Sequence, residues 1–396
     1  MKLSNRARQP RRVLFLQTQA ELAGAQEISR LLGQELSRGQ LTGVPEYETH
    51  HLFLYRKTDG CDHFPNVHFA APRRPQSLGE CLTFARNFFS IVRKIKPDTM
   101  LTFQHYGNVL GALVGRVMGI PYIVANQVSS PATVNRFVGL ADRILGTLGF
   151  YDVITVNSHA TWNHFQSYAR SYRKRLVHIP HGFAQKTTSL SKEEARDCFD
   201  LPKDVTIMGT VARLHPLKRI DLAISTLPHL PNLHLAIAGQ GPHRECLEAL
   251  AHTLGVSDRV HFAGEVNPEQ IGTFLACLDV FAFPTAAETF GLAAVEAAQA
   301  GVPVIANDLP VLREVLQVER SACALFVDAE NTDKFVSCIE LLLADKALYD
   351  RLSASGRELA ERYSLNLMVS EYTKIIIKSN AEKGAPSRSS AFKTSS

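Results

Sequence analysis

The sequence predicts two doubly wound α/β domains, each a parallel sheet wrapped by helices. Three observations carry this expectation. Short β-rich runs alternate with helical segments along the chain, about six times in each half. Many of these runs are continuously apolar rather than alternating, as parallel strands covered on both faces must be. And 396 residues are too many for one ordinary domain.

The first half offers strands at residues 13–17, 51–55, 100–103, 122–126, 153–157 and 176–180. Between the second and third, residues 78–95 place Leu78, Cys81, Leu82, Ala85, Phe89 and Val92 at helical spacing, which reads as one apolar stripe. The apolar pattern lapses over residues 182–191, where Gly, Gln, Lys, Thr and Ser take over, and this marks a boundary. The second half offers strands at 206–211, 233–238, 260–263, 280–284, 302–306 and 324–327, then a last strong helix at 365–378. From Asn380 the chain is Ser, Lys, Ala and Gly with little to bury, so a disordered tail is expected. The implied divisions are 1–185, 186–362, a helix at 363–379 and a tail at 380–396.

The net charge of +5 conceals an asymmetry: residues 1–186 hold 23 Lys and Arg against 11 Asp and Glu, and the remainder hold 20 against 27. A basic half suits a polyanionic partner such as an anionic membrane surface or a phosphorylated acceptor. Its clusters Arg73-Arg74, Arg93-Lys94-Lys96 and Arg170/Arg173-Lys174-Arg175 lack interleaved aromatics at a recognisable spacing, which argues against nucleic acid. Seven cysteines occur singly, with no C-x-x-C pair, and fit a reducing cytoplasm. The polar, basic N-terminus has no apolar run of signal-peptide type before the first strand. The longest charge-poor stretch, residues 99–135, contains Gln104, His105, Asn108, Asn126 and Gln127, and reads as buried strands and a helix rather than a membrane span.

Absent motifs narrow the chemistry. There is no G-x-x-x-x-G-K-[ST], no H-E-x-x-H and no G-x-S-x-G. Gly239-Gln-Gly241 lacks the third glycine of a dinucleotide fingerprint, and no D-x-D is present to hold a divalent ion on a diphosphate.

Two stretches carry the site. In Phe283-Pro-Thr-Ala-Ala-Glu288-Thr-Phe290-Gly291-Leu292-Ala-Ala-Val-Glu296 a buried strand runs through a loop into an Ala-rich helix expected to start near Phe290. A helix start suits a phosphate, and Gly291 allows close approach. Glu288 and Glu296 bracket that start, and carboxylates accept hydrogen bonds from sugar hydroxyls. In Gly209-Thr-Val-Ala-Arg213-Leu-His-Pro-Leu-Lys218, Arg213 and Lys218 straddle the turn after a strand, where parallel-sheet ligands bind. Two fixed cations offset the charge of a leaving diphosphate without a metal.

These residues resemble glycosyltransferase family 4, the retaining GT-B enzymes: Glu288 to Glu296 matches the E-x7-E motif, and Gly209 to Lys218 the diphosphate clamp. Ala238-Gly-Gln-Gly-Pro242, Val156-Asn-Ser158, Ile179-Pro-His-Gly182 and Tyr363-Ser364 are similar to further family features. The resemblance implies two Rossmann-like domains facing across a cleft, with the last helix crossing back. It implies that Glu288 and the backbone at Phe290, Gly291 and Leu292 hold the donor sugar and diphosphate. Glu296 would hold the ribose, and Arg213 with Lys218 the leaving charge. Gly239 and residues Glu265 and Val266 would also line the donor site, and Gly24 would reach it from across the cleft.

Gln127, an acceptor-side candidate together with His105, stands where the family has a histidine, and Ala23-Gly24 replaces Gly-Gly. His105 on the neighbouring strand end is either a partial substitute or a structural histidine. The function implied is transfer of a hexose from a nucleotide sugar to a lipid-linked or glycan acceptor, with no cofactor or metal, in surface-polysaccharide assembly. The setting implied is cytoplasmic, at the inner face of the membrane. Competing readings are a transferase with a soluble acceptor of sugar-phosphate synthase type, a GT-B sugar-nucleotide epimerase, and an inactive nucleotide-sugar binder.

Overall fold

The structure is a computed structural model that describes residues 10–21, 23–39, 47–130 and 133–384, with side chains to residue 377. The basic N-terminal arm and residues 385–396 of the expected tail lie outside the described residues.

The first sheet holds β1 (Arg11–Ala20), β2 (Tyr47–Arg56), β3 (Val67–Phe69), β4 (Thr99–Phe103), β5 (Tyr122–Gln127), β6 (Val153–Val156) and β7 (Leu176–His178) in the order β3-β2-β1-β4-β5-β6-β7. The second holds β8 (Thr206–Val211), β9 (Leu233–Ala238), β10 (Val260–Gly264), β11 (Val280–Phe283), β12 (Val304–Asn307) and β15 (Ala324–Val327) in the order β10-β9-β8-β11-β12-β15. A two-residue hairpin, β13 (Gln317–Val318) with β14 (Ser321–Ala322), stands apart. Strands within each large sheet run parallel. The apolar runs therefore became strands of the two sheets, as expected, with β7, β10 and β15 at edges. Only β3 and the hairpin, too short to show a period, went unexpected.

In both sheets the chain starts centrally, builds one edge, then crosses to build the other. The order reverses between β1 and β4 and again between β8 and β11. At such a switch point neighbouring loops diverge and open a crevice beyond the strands' carboxyl ends.

Right-handed crossovers put the two legs' helices on opposite faces of a sheet. On the first sheet, the helix Gly24–Arg38 buries Ile28, Leu32 and Leu36 against Val13 and Phe15. The other face is covered by Leu78–Ile95, His105–Val117 and Arg136–Leu148, which pack Phe88, Val92, Ala112 and Leu145 against Leu14 and Leu16. Here one expectation fails. Of the stripe assigned to Leu78–Ile95 only Val92 is buried, while Leu78, Cys81, Leu82 and Phe89 are exposed. The helix meets the sheet through Phe88, Val92 and Ile95, all in its C-terminal half, and its first turns overhang.

The last helix, Leu365–Gly384, returns to the first sheet and runs past the expected break at Asn380. Tyr372 donates to Asn126 Oδ1 on β5 at 2.6 Å. The chain passes between the domains twice, side by side: Phe183 bridges Ser364, and its N–H donates to the Tyr363 carbonyl at 3.1 Å. A Cβ on Gly182 would lie 2.2 Å from the Ser364 carbonyl oxygen, so the two passages touch there.

Candidate active site

Loops leaving β1, β8, β9, β10 and β11 converge on one cleft of about 740 Å3 between the two sheets. Both switch points open into it. Of the residues expected to bind a donor, Gly24, Arg213, Lys218, Gly239, Glu265, Val266, Glu288, Leu292 and Glu296 line this cleft together. Gly24 comes from across the cleft as expected: a Cβ there would sit 3.5 Å from Leu292 Cδ2.

The helix that faces the cleft is Leu292–Gln299, starting two residues later than the sequence suggested. Gly291 caps it in the left-handed region at φ 86°, where a side chain would be strained and would also meet Leu312 Cδ2 at 2.6 Å. The first turn, Leu292 and Ala293, lines the cleft, and the opening N–H groups of a helix lack intrahelical partners. Phe290 and Gly291 stand behind the cleft rather than in it. The Phe290 ring is buried edge-on between His181 and Tyr363, with centroids 5.2 and 5.0 Å away.

The cations are already paired with carboxylates. Lys218 forms an ion pair with Glu288, whose Oε1 also accepts from the Thr285 hydroxyl at 3.2 Å. Arg213 Nη1 lies 3.1 Å from Glu21 Oε2, in the loop after β1. Glu21 also accepts from Lys57 at 2.7 Å and from the Gln19 amide at 2.7 Å. Glu21 and Lys57 were not anticipated, because no spacing relates them to Arg213.

Glu296 is 7% exposed, which excludes a solvated helix residue. Burial pushes its carboxyl up to about 7, the Lys186 charge opposes this, and the Glu27 charge adds to it. Lys186 lies 3.6 Å from Glu27 Oε1 and donates to the Pro268 carbonyl at 3.1 Å. One cleft thus holds a buried acid, a carboxylate–ammonium pair, an arginine and a helix start.

A second cavity of about 470 Å3 adjoins the first, and Arg213 and Gln104 border both. His105 lines this second cavity, its imidazole lowered to about 4 chiefly by burial and then by the His164 charge, so it is neutral near pH 7. The preceding Gln104 is a non-glycine residue at φ 64°, ψ 157°, a strained conformation of the kind that gathers at functional sites. Gln127 does not belong here. It lines neither cavity, and its amide donates to both Asp142 oxygens at 3.1 and 3.0 Å and to the Tyr172 hydroxyl at 3.0 Å. At the end of β5 its side chain turns into the helical layer, where a buried carboxylate takes the amide.

Residues 191–359 match the family described as glycosyl transferases group 1. That stretch, similar to a group 1 glycosyl transferase domain, is 169 of the 396 residues. It holds every cleft residue named above except those of the first sheet's loops. The chain is 31% identical over 221 residues, 52% of its length and 56% of the relative's, to the GDP-mannose-dependent alpha-(1-6)-phosphatidylinositol monomannoside mannosyltransferase of Mycobacterium tuberculosis. It is 28% identical over 204 residues, 51% of the chain and 58% of the relative, to the lipopolysaccharide core biosynthesis glycosyltransferase LpsE of Rhizobium meliloti. The matched part thus spans about half the length of these relatives. Among solved structures, Anabaena Alr3699/HepE in complex with UDP and glucose superposes at a TM-score of 0.79 with 18% identity, covering 92% of this chain and 99% of that one. The two facing parallel-sheet domains are the GT-B fold. Among the described residues, no helix is long and apolar enough to cross a membrane.

Proposed function

We propose that the protein is a retaining glycosyltransferase that moves a hexose from a nucleotide-diphosphate sugar to a lipid-linked or polysaccharide acceptor. The observation that supports this best is the convergence of Glu288, Glu296, Arg213, Lys218 and the Leu292–Gln299 helix start on one cleft at two switch points. In this reading residues 1–185 receive the acceptor and residues 186–362 hold the donor. The pyrophosphate lies at the helix start, where unpaired N–H groups favour anions. Arg213 and Lys218 exchange their carboxylate partners for phosphate oxygens and offset the leaving charge without a divalent ion. Glu288, freed from Lys218, accepts from the sugar hydroxyls, and Glu296 accepts from the ribose.

Transfer occurs on the face that the diphosphate leaves, so the anomeric configuration is retained. The departing phosphate oxygen takes the acceptor's proton, and the chain supplies positioning and charge stabilisation. The named activities of the mycobacterial and rhizobial relatives favour a membrane-linked acceptor and a role in surface-glycan assembly. A thermal-shift screen of UDP-, GDP- and ADP-sugars, followed by transfer with the sugar that binds and NMR of the product anomer, tests the reading. An inverted product, or none with any donor that binds, overturns it.

A further inference from the structure

The helices over the outer face of the first sheet expose an unusual surface. On Arg136–Leu148 the inward positions are Asp142, Leu145 and Gly146. The outward ones are Phe137, Leu140, Ile144 and Leu148, exposed by 83, 55, 48 and 69%. Their spacing of three or four residues makes one stripe along the helix. The neighbouring helix His105–Val117 adds Leu113 and Val117 on its solvent side, the latter 77% exposed. Leu78 and Leu82 project from the overhanging first turns of Leu78–Ile95 at 86 and 72%. Single exposed apolar side chains need no explanation, but stripes on three helices of one layer do.

The exposed charges on the same helices are mostly cationic. Arg86, Arg93, Lys94, Arg136 and Arg143 are exposed. The two carboxylates on these helices are occupied: Glu80 is paired with Arg73, and Asp142 is buried in the Gln127 network. The short helix Arg170–Arg173, packed beside Arg136–Leu148, extends the basic rim with Arg170, Arg173 and Lys174.

We infer that this face docks on an anionic lipid bilayer. Apolar side chains interspersed with cations, with the one surface carboxylate of the three helices, Glu80, held by Arg73, match a surface that offers acyl chains beneath a negative headgroup layer. A second copy of the chain fits poorly, because a two-fold contact through this face would set Arg136 and Arg143 against the same cations. The N-terminal halves of the three helices also line the second cavity, with Phe84, Tyr106 and Val138 among its walls. Resting on the glycosyl-transfer reading, the docked face puts the mouth of that cavity at the headgroup layer. A lipid-anchored acceptor then reaches Arg213 without leaving the membrane.

Co-sedimentation of the full chain with vesicles of phosphatidylglycerol and phosphatidylcholine, against phosphatidylcholine alone, tests the docking without any donor. Binding is expected to the anionic vesicles and to fall when salt rises from about 0.1 to about 1 M, which shortens the screening length from about 10 to about 3 Å. The pair Arg136→Glu, Arg143→Glu should lose at least about thirtyfold in vesicle affinity, since each cation lost near such a surface costs about 1 kcal/mol, and the triple variant Phe137→Ser, Leu140→Ser, Ile144→Ser should lose about tenfold or more through the apolar area it removes. Leu341→Ser, exposed on the second domain, should lose nothing. An unchanged far-ultraviolet circular dichroism spectrum and melting point show that the variants are folded. Equal binding to both vesicle types, undiminished binding by the folded variants, or a triple variant that alters only the mass in solution by splitting a dimer would overturn the proposal. Docking that persists in a protein unable to transfer any sugar would leave the face standing and sink the glycosyl-transfer reading.

Discussion

Arg213 and Glu21 meet at 3.1 Å although 192 residues separate them. One belongs to the second sheet's switch point and the other to the first, so the ion pair spans the cleft that the donor is proposed to enter. The site is therefore a set of satisfied charges, and a ligand phosphate must compete with resident carboxylate.

Removing the competitor should strengthen donor binding. Glu21→Gln keeps the Gln19 contact feasible but releases Arg213. Partly exposed ion pairs contribute about 0–1 kcal/mol, so a gain of up to about fivefold in nucleotide-sugar affinity is expected by titration calorimetry. Weaker binding by the variant would show that Glu21 itself supports the donor.

Glu288→Ala should cost turnover more than binding. Loss of one preorganised polar contact to a reacting group costs about 10²- to 10³-fold in kcat, and the variant should retain its melting point. Wild-type rates with the intact donor would refute the role assigned to Glu288.

Donor affinity should rise with pH. Glu296 titrates at about 7, so its carboxyl is mostly protonated at pH 6 and mostly ionised at pH 8. Only the ionised form offers all its lone pairs to ribose hydroxyls. If that form alone binds, the change in ionised fraction gives about tenfold tighter binding at the higher pH. Glu296→Gln should bind more weakly and flatten this dependence. A wild-type profile that is level across this range would remove Glu296 from the ribose contact.

Gly239→Ala should destabilise the second domain. The residue has φ 138°, and a Cβ would approach the Ala212 carbonyl oxygen to 1.9 Å, with backbone on both sides of the clash. Strain of this kind costs about 1–3 kcal/mol before the clash is relieved, lowering the melting temperature by several degrees. An unchanged melting point would mean that the β9 turn is softer than its contacts imply.

The fold was legible because apolar runs of strand length, repeated between helices, leave few other architectures. Glu288, Glu296, Arg213 and Lys218 were legible because each follows a strand within a short stretch of sequence, and a parallel sheet aligns such loops. Glu21, Lys57 and Lys186 were not, since their partners lie in other loops and only the packing of two sheets brings them together. Gln127 was misplaced because a strand end does not reveal whether the next side chain turns toward the crevice or into the helical layer. The Leu78 stripe was misassigned for a related reason. Periodicity identifies residues that share a face, but not whether protein or surroundings cover it.

The paired passages at Phe183 and Ser364 act as a single axle. Rotation about an axle displaces least what lies nearest to it. Phe290, wedged between His181 and Tyr363, fastens the start of the Leu292–Gln299 helix close to that axle, so any rotation of one half against the other would leave this ledge nearly still while parts farther out swept the larger arcs.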